Sequence, residues 1–197
     1  MTAAFLAGVI AGYGVAVPVG AIAVLIAGLS ARTSLRVGAA AGLGAATADG
    51  IYALVAVLGG AALTGAITPI ATPLRWAAAA VLLLLAAHTA WSALTKPATA
   101  RQTDRTTPAS AYLGILGLTL LNPATVVYFA ALVLGRGGQG GGAWFVLGAF
   151  LASARWQLLI AGSGSLVGRF LTSDRSRVIT ALVSSAVIAA LAVGLVV

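Results

Sequence analysis

Gly38-Ala-Ala-Ala-Gly42-Leu-Gly-Ala-Ala-Thr-Ala-Asp49-Gly-Ile-Tyr52-Ala-Leu-Val-Ala-Val-Leu-Gly59-Gly60 is an apolar run holding a single carboxylate. Extended over 38–64 it exceeds the roughly twenty residues that cross a hydrocarbon layer of about 30 Å at about 1.5 Å per residue. It lacks the two-residue alternation of a membrane barrel strand, so it reads as a transmembrane helix. Five further runs of this kind lie at about 4–29, 74–95, 111–134, 143–168 and 178–197. The sequence therefore predicts an all-α membrane protein with six spans. Its composition agrees: of 197 residues, 61% are hydrophobic and 7% charged, against about half and about a quarter in a soluble domain. The absence of cysteine removes disulfide frameworks, thiol redox chemistry and thiolate metal sites. A formal charge of +8 comes from basic residues scattered over apolar sequence, which cannot form the dense basic face that nucleic acid requires. No basic residue precedes Arg32, so the N-terminus lacks the charged region of a cleavable signal and is expected to stay as the first span.

The connections are short and polar. Arg32 and Arg36 lie in the first, Lys96, Arg101 and Arg105 in the third, and Arg169, Arg175 and Arg177 in the fifth. The second and fourth hold only Arg75 and Arg136. Because cytoplasmic loops collect Lys and Arg, the odd loops are expected in the cytoplasm and both termini outside.

The two halves align at a shift of 105 residues, which sets Pro18 on Pro123, Gly59 on Gly164, and Asp49 within one position of Arg155. Three helices per half is an odd number, so the second copy enters the membrane inverted relative to the first, as in many secondary carriers. The expected organisation is a first three-helix repeat over 1–95, a cytoplasmic connection over 96–110, and an inverted repeat over 111–197. Gly8 and Gly12, Gly38 and Gly42, and Gly164 and Gly168 carry the spacing that lets helix backbones approach. This spacing serves internal packing first, and a homodimer is the other arrangement it permits.

Pro18 and Pro123 fall near the middle of the first and fourth spans. Each lacks an N–H and displaces the carbonyl four residues back, that of Gly14 or Thr119, so both helices are expected to be interrupted there. Paired interruptions in two repeats are the best sequence pointer to a transport site. Asp49 and Arg155 are nearly central in their spans, and each would cost about 2.5–3.5 kcal/mol if it faced lipid. Both are therefore expected to face inward, either paired with each other or lining a wet cavity where Asp49 meets an ammonium or a proton and Arg155 a carboxylate. A small zwitterionic solute fits both charges. His88, nearer a span end, reads as a structural hydrogen-bonding residue, and Trp76, Trp91 and Trp144 as interfacial anchors. Trp156 could pack on Arg155 or fill the core.

Competing chemistries are poorly supplied. A divalent-cation exporter needs several oxygen or imidazole ligands, and the chain has three acidic residues and one histidine. An intramembrane serine hydrolase built on Ser163 and His88 would need the base within reach of the hydroxyl. No metal, cofactor or catalytic residue is expected. The partners are a small-molecule substrate and the lipid bilayer.

Pro18-Val-Gly20, Gly38 and Gly42 followed by Asp49-Gly-Ile-Tyr52 and Gly59-Gly60, and Leu121-Asn122-Pro123 together resemble the lysine exporter (LysE) family of amino-acid translocators. The likeness runs over nearly the whole chain. It implies six helices in a bacterial cytoplasmic membrane and export of amino acids or related solutes driven by an ion gradient. Pro18, Asp49, Asn122 and Pro123 are the positions that match, and Tyr52 belongs to the same motif. Arg155 lies outside the resemblance and rests on the membrane-cost argument alone.

Overall fold

The computed structural model describes residues 1–17, 20–67, 71–95, 106–122, 125, 128–129, 142–170 and 174–194. Among these residues the chain is helical apart from short connections, with no strand. The helices are α1 (Thr2–Ala16), α2 (Ala21–Arg32), α3 (Leu35–Ile67), α4 (Ala71–Thr95), α5 (Pro108–Leu120), α6 (Gly142–Phe170) and α7 (Asp174–Gly194).

Along α1 and much of α3, small residues point inward and large apolar ones outward. In α1 the buried stripe is Gly8, Ala11, Gly12 and Ala16, while Leu6 and Ile10 are exposed. In α3 the core positions are Ala41, Ala45, Ala46, Ala48, Ala53 and Ala56, and Leu43, Ile51, Leu54 and Leu58 face out. This is the reverse of a water-soluble helix and suits a bilayer, where lipid accepts leucine and close backbone packing holds the helices together. Leu35–Gly59 and Gly142–Gly168 are each long and apolar enough to cross a membrane, and α1 with α2 passes as a pair bent by 79°. The chain is an all-helical, multi-pass membrane protein.

The first expected span is broken where the sequence indicates. α1 closes with the Val17 N–H on the Tyr13 carbonyl, and α2 restarts after Gly20, which is extended. The fourth also stops early: the Leu121 N–H reaches Gly117 and Leu118, and the Asn122 N–H reaches Thr119, tightening the last turn of α5. Pro18 and Pro123 themselves lie outside the described residues, as do 96–105 and the glycine-rich 135–141. The connection expected over 96–110 gives way to helix at Pro108. The Thr107 hydroxyl accepts from the Ser110 N–H at 3.1 Å, and proline suits the first helical position because its missing N–H would have no partner there.

Glycines set how the helices meet. A side-chain carbon at Gly8 would strike the Phe145 carbonyl, one at Gly12 the Ala149 carbonyl, and one at Gly164 or Gly168 the carbonyls of Ala27 or Ala31. All of these contacts lie within the chain, so the glycine pairs serve internal packing. Their order along the chain gives the helix directions. From Gly8 and Gly12 against 145–149 to Ala27 and Ala31 against Gly164 and Gly168, α1 and α2 run parallel to α6. Gly44 and Thr47 meet Tyr112 and Tyr52 meets Leu120, so α3 runs parallel to α5. Gly42 meets Gln157, Asp49 meets Ser153 and Gly50 meets Phe150, so α3 and α6 are antiparallel.

Two apolar clusters fill the interior. One gathers Leu25, Ile26, Val37, Ala41, Ala45, Ile115, Leu118, Ala161 and Ile188 from α2, α3, α5, α6 and α7. The other gathers Ala11, Tyr52, Ala53, Ala56, Phe129, Phe145 and Ala149. Between them along α3 and α6 lie Asp49 and Ser153.

This packing predicts a contrast between two small substitutions. Gly12→Ala places a methyl against backbone that cannot rotate away and should lower stability by about 1–3 kcal/mol, the usual cost of overpacking. Gly114→Ala on the exposed face of α5 meets nothing within 4 Å and should leave the melting temperature in detergent unchanged or higher, since alanine favours helix.

Candidate functional site

Asp49 sits near the middle of α3 and is 3% exposed. Ser153, fully buried on α6, donates its hydroxyl to Asp49 Oδ2 at 2.6 Å. Small neighbours permit this approach. Gly50 lies against the Phe150 ring, and Gly42 has room for Gln157 because a Cβ there would be 3.1 Å from that of Gln157. A carboxylate inside a bilayer must find a donor or a wet cavity, and the α3–α6 seam supplies a hydroxyl.

One turn further along α3, the Tyr52 hydroxyl donates to the Leu120 carbonyl at the end of α5. That carbonyl belongs to the last turn of a helix and has lost its own intrahelical partner. Tyr52 therefore ties the Asp49 helix to the second break. On its other flank, the Tyr112 hydroxyl donates to Thr47 Oγ1 at 3.0 Å, holding α5 to α3 two residues before Asp49. The first break lies at the same level. Gly12 meets Ala149 and Ala27 meets Gly164, so the end of α1 and the start of α2 contact α6 on either side of the stretch that carries Ser153. Gly14, just before the break, abuts the Tyr128 hydroxyl beyond the second break, so the two interruptions are neighbours. Thr119 and Thr125, which flank the second break, are both buried.

The residues singled out from sequence divide accordingly. Asp49 and Tyr52 occupy this layer, and Asn122 is half-buried at its edge. Pro18 and Pro123 fall between described residues on either side of the breaks. Arg155 does not join them, and the expectation that it faces inward is corrected. Its side chain is exposed, on the outer stripe of α6 with Leu151, Leu158 and Leu159. The reason is register. Asp49 and its partner Ser153 are 104 residues apart, and at about 100° per residue Arg155 lies about 200° around the helix from Ser153. No ion pair joins Asp49 and Arg155 among the described residues. His88 is exposed on α4, as are Trp76, Trp91 and Trp144 near helix ends. Ser163 is exposed, and its hydroxyl donates to the Ile160 carbonyl of its own helix.

Sequence reasoning missed Ser153 and Gln157. They are spaced i, i+4 on the buried face of α6, and that spacing of polar residues within an apolar span was the available signal. No group of three or more His, Cys, Asp or Glu capable of holding a metal occurs among the described residues. What the layer can do is hold or release a proton at one carboxylate and accept hydrogen bonds from a cationic group.

A family model for LysE type translocators matches residues 14–197, and the chain belongs to that family. It is thus a member of a family of membrane transporters. No curated protein and no solved structure matches it.

Removing the donors should be costly in proportion to what they satisfy. Ser153→Ala leaves a buried carboxylate oxygen without its hydroxyl, and Tyr52→Phe leaves the Leu120 carbonyl without a partner. Each should destabilise the protein by about 1–3 kcal/mol, read as a lower thermal midpoint of purified protein in detergent. Thr95→Val, which loses only a bond from its side chain to the Trp91 carbonyl of its own exposed helix, should change it far less.

Proposed function

We propose that this member of the LysE type translocator family exports amino acids or related small solutes from the cytoplasm by alternating access, coupled to the proton gradient across a bacterial cytoplasmic membrane. The supporting observation is the Asp49–Ser153 layer: a buried carboxylate flanked by two interrupted helices, with an apolar cluster on either side. Broken helices meeting near the membrane midplane are where secondary carriers place their solute and ion sites.

In this reading the chain has six spans arranged as two inverted three-helix repeats, with both termini outside. The helix directions support it. The arginine and lysine distribution makes α1–α2 and α6 run inward and α3 and α5 run outward. The contacts likewise set α1–α2 parallel to α6, α3 parallel to α5, and α3 antiparallel to α6. The first helix of each half would then lie against the second helix of the other half, and Asp49 and Ser153 would face each other where the repeats are related.

The solute binds between the two breaks. Asp49 accepts a hydrogen bond from its ammonium group or exchanges a proton in step with its passage. Tyr52 links this event to the second break through the Leu120 carbonyl, and Asn122 lies at the edge of the path. Rocking of one repeat against the other then opens the layer to the outer side. Arg155, on the outer face of α6, takes no part in the binding step.

In vesicles under an imposed proton gradient, with each of the twenty amino acids tested in turn, the parent chain should drive gradient-linked transport of at least one. Asp49→Asn should reach the membrane at parent levels and lose at least tenfold of that flux. Parent-level flux from Asp49→Asn would remove Asp49 from the coupling step.

A further inference from the structure

Among the described residues, three side-chain polar atoms are buried with no hydrogen-bond partner: Arg32 Nη1, Trp156 Nε1 and Gln157 Oε1. Two of the three are on consecutive residues, in the turn of α6 that follows Ser153. Buried polar groups in folded proteins are nearly always paired, and an unpaired one lowers the stability of the state that buries it, so its presence calls for a role elsewhere. Gln157 is the clearest of these. It is 6% exposed, it is one turn from Ser153 on the same face of α6, and its Cβ and backbone pack against Gly42 in the α3–α6 seam. A leucine or methionine at this position would be buried without burying an acceptor. Packing alone therefore gives no reason for an amide at this position.

We propose that Gln157 is a solute-contacting residue: during the transport cycle its Oε1 accepts a hydrogen bond from the ammonium group of the solute, in the same seam as Asp49. The inference rests on the transport reading above and adds a second acceptor to it. Asp49 on α3 and Gln157 on α6, the latter one turn from the serine that Asp49 meets, are one anionic and one neutral acceptor, and such a pair suits a primary ammonium with its three donors. They suit poorly a solute whose amine is acylated. The neutral acceptor recognises the solute without titrating, so its role is separable from coupling at Asp49.

The test uses full-length chain in vesicles and takes, as probe, the amino acid that the parent moves fastest together with its N-acetyl derivative. Gln157→Met keeps the length of the side chain and deletes the acceptor. The expected result is a KM at least tenfold higher for the free amino acid, with an unchanged proton-to-solute ratio and a thermal midpoint in detergent equal to or above the parent's. The N-acetyl compound should be a poor substrate for both chains. Gln157→Asn, which retains an amide but withdraws it, should fall between them. A parent-like KM in Gln157→Met overturns the proposal, as does a markedly lower thermal midpoint, which would make Gln157 a structural residue. A parent that carries the N-acetyl compound as well as the free amino acid also overturns it. If the parent moves none of the twenty amino acids, the transport reading fails and this proposal fails with it. If the parent transports and Gln157→Met does so with the same KM, only this proposal fails.

Discussion

The hydrogen bond from Ser153 to Asp49 is the constraint around which the rest of the molecule is arranged. A carboxylate near the middle of a membrane helix is expensive unless a donor or water meets it. Here the donor comes from the helix that packs antiparallel to its own. That meeting fixes the register of α3 against α6, and the register decides which residues share the interior. It brings Gly50 under Phe150 and Gly42 under Gln157, and it turns Arg155 to the outside.

The surroundings of this bond are unequal along the membrane normal. On one side Leu25, Ile26, Val37 and Ile115 close the interior, and on the other Phe129, Phe145 and Tyr52 do so. Between these clusters the backbone of two helices is interrupted, and side-chain hydroxyls take over part of the hydrogen bonding that regular helix would have provided. Tyr52 on the Leu120 carbonyl is the most direct instance. A layer in which polar groups are satisfied by side chains rather than by helix ladders can rearrange at lower cost than either apolar cluster, because closely packed interiors deform little while hydroxyls rotate freely. In the proposed transport cycle this layer is the part that moves.

Much of this was legible in the sequence, for identifiable reasons. The membrane-spanning character followed from run length and from small residues spaced along helix faces. The positions of the breaks followed from Pro18 and Pro123, since proline removes a donor and displaces a carbonyl wherever it stands. Asp49 stood out because a lone charge in an apolar run has few explanations. The failures were failures of azimuth. The membrane-cost argument states that a charge needs a polar partner, but it does not say which side of a helix that charge occupies, so it points Arg155 inward where a register of 104 residues sends Ser153 instead. Ser153 and Gln157 passed unnoticed because serine and glutamine are inexpensive enough in a span to draw no attention. Run length alone starts α5 at 111, three residues late, because it does not register Thr107 as the cap of the helix that Pro108 begins.

The central claim is that the Asp49–Ser153 layer is exposed in turn to the two sides of the membrane. The chain contains no cysteine, so a single Ser153→Cys substitution carries the only thiol and can be labelled without background. The most direct measurement is its reaction with a membrane-impermeant maleimide added to either side of oriented vesicles, with and without an imposed proton gradient. The account predicts labelling from both sides, with the gradient favouring one side over the other at least severalfold. A thiol that reacts from neither side under any gradient, while the protein is folded and transporting, would contradict it.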